Sequence, residues 1–259
     1  MADLQDPESA QVFVLLGASN LTLAWPNIVR LLERRFAAPR RIYTANGMGR
    51  SYLNQRSRLL LRQLPGILHS GIWDALEAEN KEAVAHVLIT DLGNDLVYGR
   101  SPEEVAQSAE ESLRRVRARL PLARIVLTAP PLDAVQKLGM LRFLFFRTVI
   151  FPSCRLSLGD VKQGTSELKD RLREIADREE VPLYQPNPQH YTFDPIHVTP
   201  GSQQAAFGGM IDLWQAEHAD NTPGRRHQRP LAEKRWVRGR ERLTPQPSVH
   251  LNETQVFAF

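Results

Sequence analysis

Five short strand candidates, rich in apolar residues, recur along the first 184 residues, at 12–16, 41–45, 85–90, 124–129 and 181–184, and stretches with helical spacing lie between them. A short, uninterrupted apolar run closed by a turn residue suits a strand buried on both faces. Between the runs, Leu23–Phe36 carries helical spacing through Ile28, Leu31 and Leu32, with Pro26 placed in a first turn. Residues 52–79 read as mostly helical, broken near Pro65-Gly66. Ser101-Pro102-Glu103-Glu104 opens a helix to about Leu120: a cap, a proline at the first position, then acids at the positive end of the dipole. Further helices are expected at 164–179 and 202–214. Strands alternating with helices require right-handed crossovers, so the predicted fold class is α/β. The expected architecture is a three-layer α/β/α sandwich around a mostly parallel, about five-stranded sheet.

A chain of 259 residues can bury one large core, and 42% hydrophobic with 24% charged residues is ordinary for a globular protein. Residues 221–259 hold eight Arg and Lys against three acids, a net +5, while the remaining 25 basic and 26 acidic residues leave the body near neutral. This divides the chain into a domain over 1–220 and a basic C-terminal tail over 221–259, read as a poorly ordered, solvated extension. No nucleic acid partner is expected for it, although such a charge could attract one. The single cysteine, Cys154, excludes an intramolecular disulfide and suits a reducing compartment. The acidic N-terminus lacks the basic-then-apolar order of a signal peptide, and no apolar stretch reaches 18 residues. The expected localisation is therefore cytoplasmic.

In open α/β sheets, ligands bind beyond the carboxyl ends of the strands. The residues that follow the first three strands include Ser19, Gly49 and Asn94, so all three should reach one sheet edge. Ser19, in Gly17-Ala18-Ser19-Asn20-Leu21, can expose a hydroxyl at a strand-to-helix turn, or simply cap the helix. Asn94 can donate an amide to a developing oxyanion, or belong to an ordinary turn. Gly47 and Gly49 can supply positive φ. Near the end of the domain, Asp194-Pro195-Ile196-His197 sets a carboxylate three residues before an imidazole. A serine needs such a base, and the base needs a carboxylate to fix its tautomer.

Taken together, Gly17-Ala18-Ser19-Asn20-Leu21, Ala45-Asn46-Gly47-Met48-Gly49-Arg50-Ser51, Leu92-Gly93-Asn94-Asp95 and Asp194-Pro195-Ile196-His197-Val198-Thr199-Pro200 resemble the four blocks of the SGNH, or GDSL-type, hydrolases in their order. The resemblance covers roughly residues 12–215. It implies a carboxylic ester hydrolase working through an acyl-Ser19 intermediate, or an acyltransferase on the same scaffold. Ser19 would be the nucleophile, His197 the base and Asp194 its orienting carboxylate. The backbone N–H groups of Ser19 and Gly49 and the Asn94 side chain would form the oxyanion hole, with Gly47 as the alternative to Gly49. Asn20, Gly47 and Phe145 are the expected substrate contacts. The resemblance implies no metal and no organic cofactor, and a small-molecule, lipid or carbohydrate ester as substrate. Two departures stand out: Ala18 where the family usually has an acid, and Leu92 where it usually has a glycine. Both leave open a non-catalytic binding module on the same scaffold.

Residues 132–160 form an apolar insert holding four of the ten phenylalanines, with Arg142 and Arg147 inside it. It reads as a lid or wall over an acyl pocket bordered by Phe145, as an interfacial helix with snorkelling arginines that allows peripheral membrane contact, as a dimer contact or as a buried helix.

Overall fold

The computed structural model describes residues 10–149, 154–216, 219–222, 228–251 and 253–259. Strand β1 (Gln11–Leu16) runs into α1 (Ser19–Arg35), which returns the chain to β2 (Arg40–Ala45). A hairpin follows, β3 (Arg56–Leu59) and β4 (Arg62–Pro65), then a short α2 (Ile72–Leu76) and β5 (Ala85–Ile89). Next come α3 (Asn94–Val97), α4 (Pro102–Arg119), β6 (Arg124–Thr128), α5 (Leu132–Gln136), α6 (Met140–Val149), α7 (Leu158–Arg178), β7 (Leu183–Tyr184) and α8 (Gln203–Asp212). The C-terminal part supplies β8 (Lys234–Val237), β9 (Arg240–Leu243), β10 (Val249–Leu251) and β11 (Thr254–Ala258).

The central sheet has seven strands in the order β10-β11-β2-β1-β5-β6-β7, and only the β10–β11 pair is antiparallel. Side chains of β1 alternate between two cores, as the period of a strand requires. Val12, Val14 and Leu16 pack toward α2, α4 and α7, while Phe13 and Leu15 pack toward α1 and α8. That alternation, on a strand buried at every position from Val12 on, makes the three layers of an α/β/α sandwich. Helix α4 starts on the Ser101–Glu104 capping box, and α7 starts on a second one, Ser157–Asp160, six residues ahead of the expected start at 164.

Four expectations require correction. First, α1 begins at Ser19, so Pro26 lies inside the helix rather than in its first turn. Second, residues 52–79 are not mostly helical: they hold the β3–β4 hairpin, a 3-10 turn at Ile67–His69 and the short α2. The reason is a distant partner, since β4 pairs antiparallel with β8 in a separate four-stranded sheet, β3-β4-β8-β9. Third, the sheet exceeds five strands. Fourth, the segment 221–259 is not a loose tail, because β11 lies parallel beside β2 and extends the main sheet across the expected boundary at 220. Thr254, Val256 and Ala258 are buried in strict alternation, a period-two signal that the surrounding arginines obscure. Arg225 and Arg226 lie outside the described residues. No helix among the described residues is long and apolar enough to cross a membrane.

The strand order creates the geometry of the site. From β1 the chain moves to β2 on one side, then crosses back to β5 on the other. A crevice opens beyond the carboxyl ends of the strands where the winding reverses in this way. The loops after β1, β2 and β5 carry Ser19, the Asn46–Gly49 turn and Asp91–Asn94 to that crevice.

Candidate active site

Ser19 is the first residue of α1 and is 4% exposed. The turn before it is tight. A Cβ on Gly17 would lie 2.5 Å from Leu21 Cδ1 and 2.6 Å from Thr90 Cγ2, so any larger residue would push these buried side chains aside where β1 feeds into the helix. Ser19 Oγ lies 2.9 Å from His197 Nε2, although the two residues are 178 positions apart. On the other face of the ring, Nδ1 lies 2.6 Å from Asp194 Oδ2. The second carboxylate oxygen, Asp194 Oδ1, accepts the backbone N–H groups of Ile196 at 2.8 Å and His197 at 3.1 Å. This turn, closed on its own aspartate, holds the carboxylate and the imidazole in one orientation.

The electrostatics agree with the geometry. Burial by itself would lower the pKa of His197, but the hydrogen bond and charge of Asp194, with the charge of Asp91, outweigh it, and the net shift is upward. Burial would raise the pKa of Asp194, yet its bonds to His197 and to the Ile196 and His197 N–H groups carry it below the ordinary value. The pair therefore favours an ionised carboxylate beside an imidazole that accepts a proton readily.

Asp91 is the site residue that the sequence did not reveal. Ala18 occupies the N-cap position of α1 and has no side chain to bond there. Asp91, at the end of β5, supplies the missing cap from across the crevice. Its Oδ2 accepts the N–H groups of Ala18 at 2.7 Å, Asn20 at 3.1 Å and Leu21 at 3.5 Å. Its backbone sits at φ 63°, a left-handed conformation that aspartate tolerates better than most side chains. Oδ1 of the same carboxylate accepts Asn20 Nδ2 at 2.8 Å. Asn20 in turn donates to Ile196 O at 3.1 Å and accepts the Val198 N–H at 2.9 Å. Asn20 thus bridges the Ser19 turn, Asp91 and the histidine loop, with both its side-chain NH₂ and its side-chain oxygen engaged there.

Changing Asp91 to asparagine should keep one acceptor oxygen and remove the charge. The loss of charge-assisted bonds at the start of α1 should cost about 2 kcal/mol of stability. The same charge helps hold the pKa of His197 up, so its removal should move the acid limb of the kcat/KM–pH profile to lower pH. A profile unchanged from wild type would show that the carboxylate has no electrostatic hold on the imidazole.

The second and third loops are cross-linked to the first. Thr22 Oγ1 lies 3.3 Å from Asn46 Oδ1, joining α1 to the turn after β2. The Tyr98 hydroxyl donates to Gly49 O at 2.9 Å, joining that turn to the end of α3. The buried Asp95 accepts Ser51 Oγ and the Tyr52 N–H, the latter at 2.8 Å. Gly49 has φ 66°, which glycine adopts without strain. Among the described residues, neither the Ser19 N–H, nor the Gly49 N–H, nor the Asn94 side-chain amide donates a hydrogen bond. Three donors without acceptors, on three loops tied to one another, suit an incoming oxyanion.

Gly47 shares the turn with Gly49 but faces Leu64, and Phe145 lies on the outer face of α6. Gly47 packs against Leu64, where a Cβ would lie 2.4 Å from Cδ1, and its carbonyl accepts the Arg50 N–H. Phe145 is 50% exposed on the outer face of α6, against Phe146 and Phe193. Phe143 and Phe146, three residues apart on the inner face of the same helix, line a cavity instead. That cavity, of about 110 Å³, lies under α5 and α6 and also meets Asn94, Val135 and Val161.

No protein-family model matches the sequence, and no curated protein matches it either. Solved structures do match. The aryl esterase of M. smegmatis superposes with a TM-score of 0.53 at 16% identity, over 79% of this chain and 98% of its own. A carbohydrate acetylesterase from Sinorhizobium meliloti superposes at 0.52 and 16%, over 78% and 97%. The chain shares its fold with these structures, an α/β/α sandwich with helices on both faces of a mostly parallel sheet.

Proposed function

We propose that the chain is a serine esterase of the SGNH type, hydrolysing a carboxylic ester through an acyl-Ser19 intermediate. The observation that carries this reading is the continuous relay from Asp194 through His197 to Ser19, at 2.6 and 2.9 Å. His197 Nε2 takes the proton of Ser19 Oγ as that oxygen bonds to the ester carbonyl carbon. The carbonyl π electrons move to oxygen, where the Ser19 and Gly49 N–H groups and the Asn94 amide receive the charge. Collapse breaks the bond to the leaving oxygen, which takes the proton from His197. Water, deprotonated by the same imidazole, then releases the acid and restores Ser19. The turn that Ala18 leaves without a side-chain acceptor is held by Asp91 instead, which favours a working enzyme over a decayed relative.

A fluorophosphonate probe should lose fluoride and form a phosphonate ester at Ser19, located by peptide mass spectrometry. No adduct under conditions that label a known serine esterase would reject the reading. Asn94→Ala should lower kcat by roughly 10²–10³ with little change in KM, as for other oxyanion donors. Initial rates on a chromogenic ester check this, and an unchanged kcat would remove Asn94 from the hole.

A further inference from the structure

The cavity under α5 and α6 has no role in the relay, yet it reaches the oxyanion donor. Asn94 lies on its wall, and from there it runs between α7 and the roof formed by Val135, Leu138, Phe143 and Phe146. The roof side chains and Val161 of α7 make a small apolar core of their own. Apart from the Asn94 amide and the Tyr191 hydroxyl, the polar side chains on the wall near the relay have partners. Thr128 donates to Thr90 at 2.9 Å, Thr165 to Val161 O at 2.6 Å, and Asn20 and Asp91 bond each other and the nucleophile turn. The Arg147 guanidinium, which also borders the cavity, lies over the ring of Phe143 at 5.7 Å. A sugar or other polyhydroxyl group placed here would lose more hydrogen bonds to water than these few groups could replace.

The two halves of an ester can be assigned by the proton that each requires. The leaving oxygen must sit at His197 Nε2 to be protonated, and neither His197 nor Ser19 is on the cavity wall. The carbonyl oxygen must sit at Asn94, which is. The group that stays on the carbonyl carbon after the leaving oxygen departs is therefore the one the cavity can receive. Its volume of about 110 Å³ approaches the roughly 150 Å³ at which apolar protein cavities take up benzene.

We propose that this cavity is the acyl site, and that the enzyme acts on esters of an apolar acyl group several carbons long rather than on acetyl esters. The proposal rests on Ser19 being the nucleophile. p-Nitrophenyl acetate, butyrate and hexanoate share one leaving group, so their comparison isolates the acyl part. With wild-type protein, kcat/KM should rise about fourfold per methylene, the equivalent of ~0.8 kcal/mol per buried CH₂, reaching roughly two-hundredfold from acetate to hexanoate. Val161→Phe, which fills the cavity, should reduce the hexanoate-to-acetate ratio at least tenfold, and Phe143→Ala, which enlarges it, should extend the rise to longer chains. Reading each variant as a ratio removes any general loss of active protein, and the wild-type series stands should either variant fail to fold. A flat or falling wild-type series, with Ser19 still labelled by fluorophosphonate, overturns the acyl site alone. Absence of labelling overturns the reading beneath it. A ratio in Val161→Phe equal to wild type places the acyl group elsewhere.

Discussion

Replacing Ser19 with alanine should lower ester turnover by about 10⁴–10⁶-fold while the fold survives. Its Oγ is the atom to which the acyl group would be transferred, and the closest base, His197 Nε2 at 2.9 Å, has no other proton to take from this turn. The structural loss is small: one hydrogen bond to a partly buried imidazole, about 1 kcal/mol, and a shift of a few degrees in unfolding temperature. Activity measured beside thermal unfolding checks both halves. A variant that retains more than a tenth of wild-type turnover would place the nucleophile elsewhere.

Asp194→Asn should cost about 10⁴ in kcat, more than loss of charge alone would explain. In the native site the carboxylate accepts from Nδ1–H, so Nε2 carries the lone pair that faces Ser19. An amide can turn its NH₂ toward Nδ1 instead, leaving a hydrogen on Nε2, where a base is needed. The pKa of the imidazole should also fall, because the hydrogen bond and charge that hold it up are lost. The wild-type base is protonated below a pKa lying above the ordinary 6.5, so activity should be lost as pH falls through that value. In Asp194→Asn the acid limb should move to lower pH, yet raising the pH should not restore the rate, since a wrong tautomer cannot be titrated away. Recovery of wild-type kcat at high pH would mean that Asp194 acts by charge only. The contrast with Asp91→Asn is informative, because that change should move the limb without flipping the tautomer.

Much of the sheet was legible in the sequence because β1, β2, β5 and β6 are largely buried on both faces and so read as short segments rich in apolar residues. The relay was legible for a different reason. Ser19, Asn94, Asp194 and His197 each follow or precede an element whose end could be located, and strand topology then brings those ends together. What escaped depended on partners distant in the chain. The half-exposed strand β4 acquires its neighbour from β8, and Arg56 to Pro65 carries no long apolar run of its own. Asp91 is one loop aspartate among many until the fold sets it under Ala18, 73 positions away. A signal did exist: a helix start with alanine at its cap needs an acceptor from elsewhere. Phe145 was chosen from an apolar cluster, but helical periodicity gave the inner face to Phe143 and Phe146.

The pairing of β11 with β2 has a consequence for how the chain is made. Arg40 and Thr254 are neighbours in the sheet and 214 positions apart in the chain. Until the later strand has left the ribosome, β2 presents an open edge of unpaired N–H and C=O groups, the surface on which nascent chains stick to one another. The buried Arg50, beside the glycine turn, likewise waits for the carbonyl of Phe259 to receive one of its N–H groups. Synthesis of this protein thus carries an interval in which β2 is made while its outer edge is still unpaired.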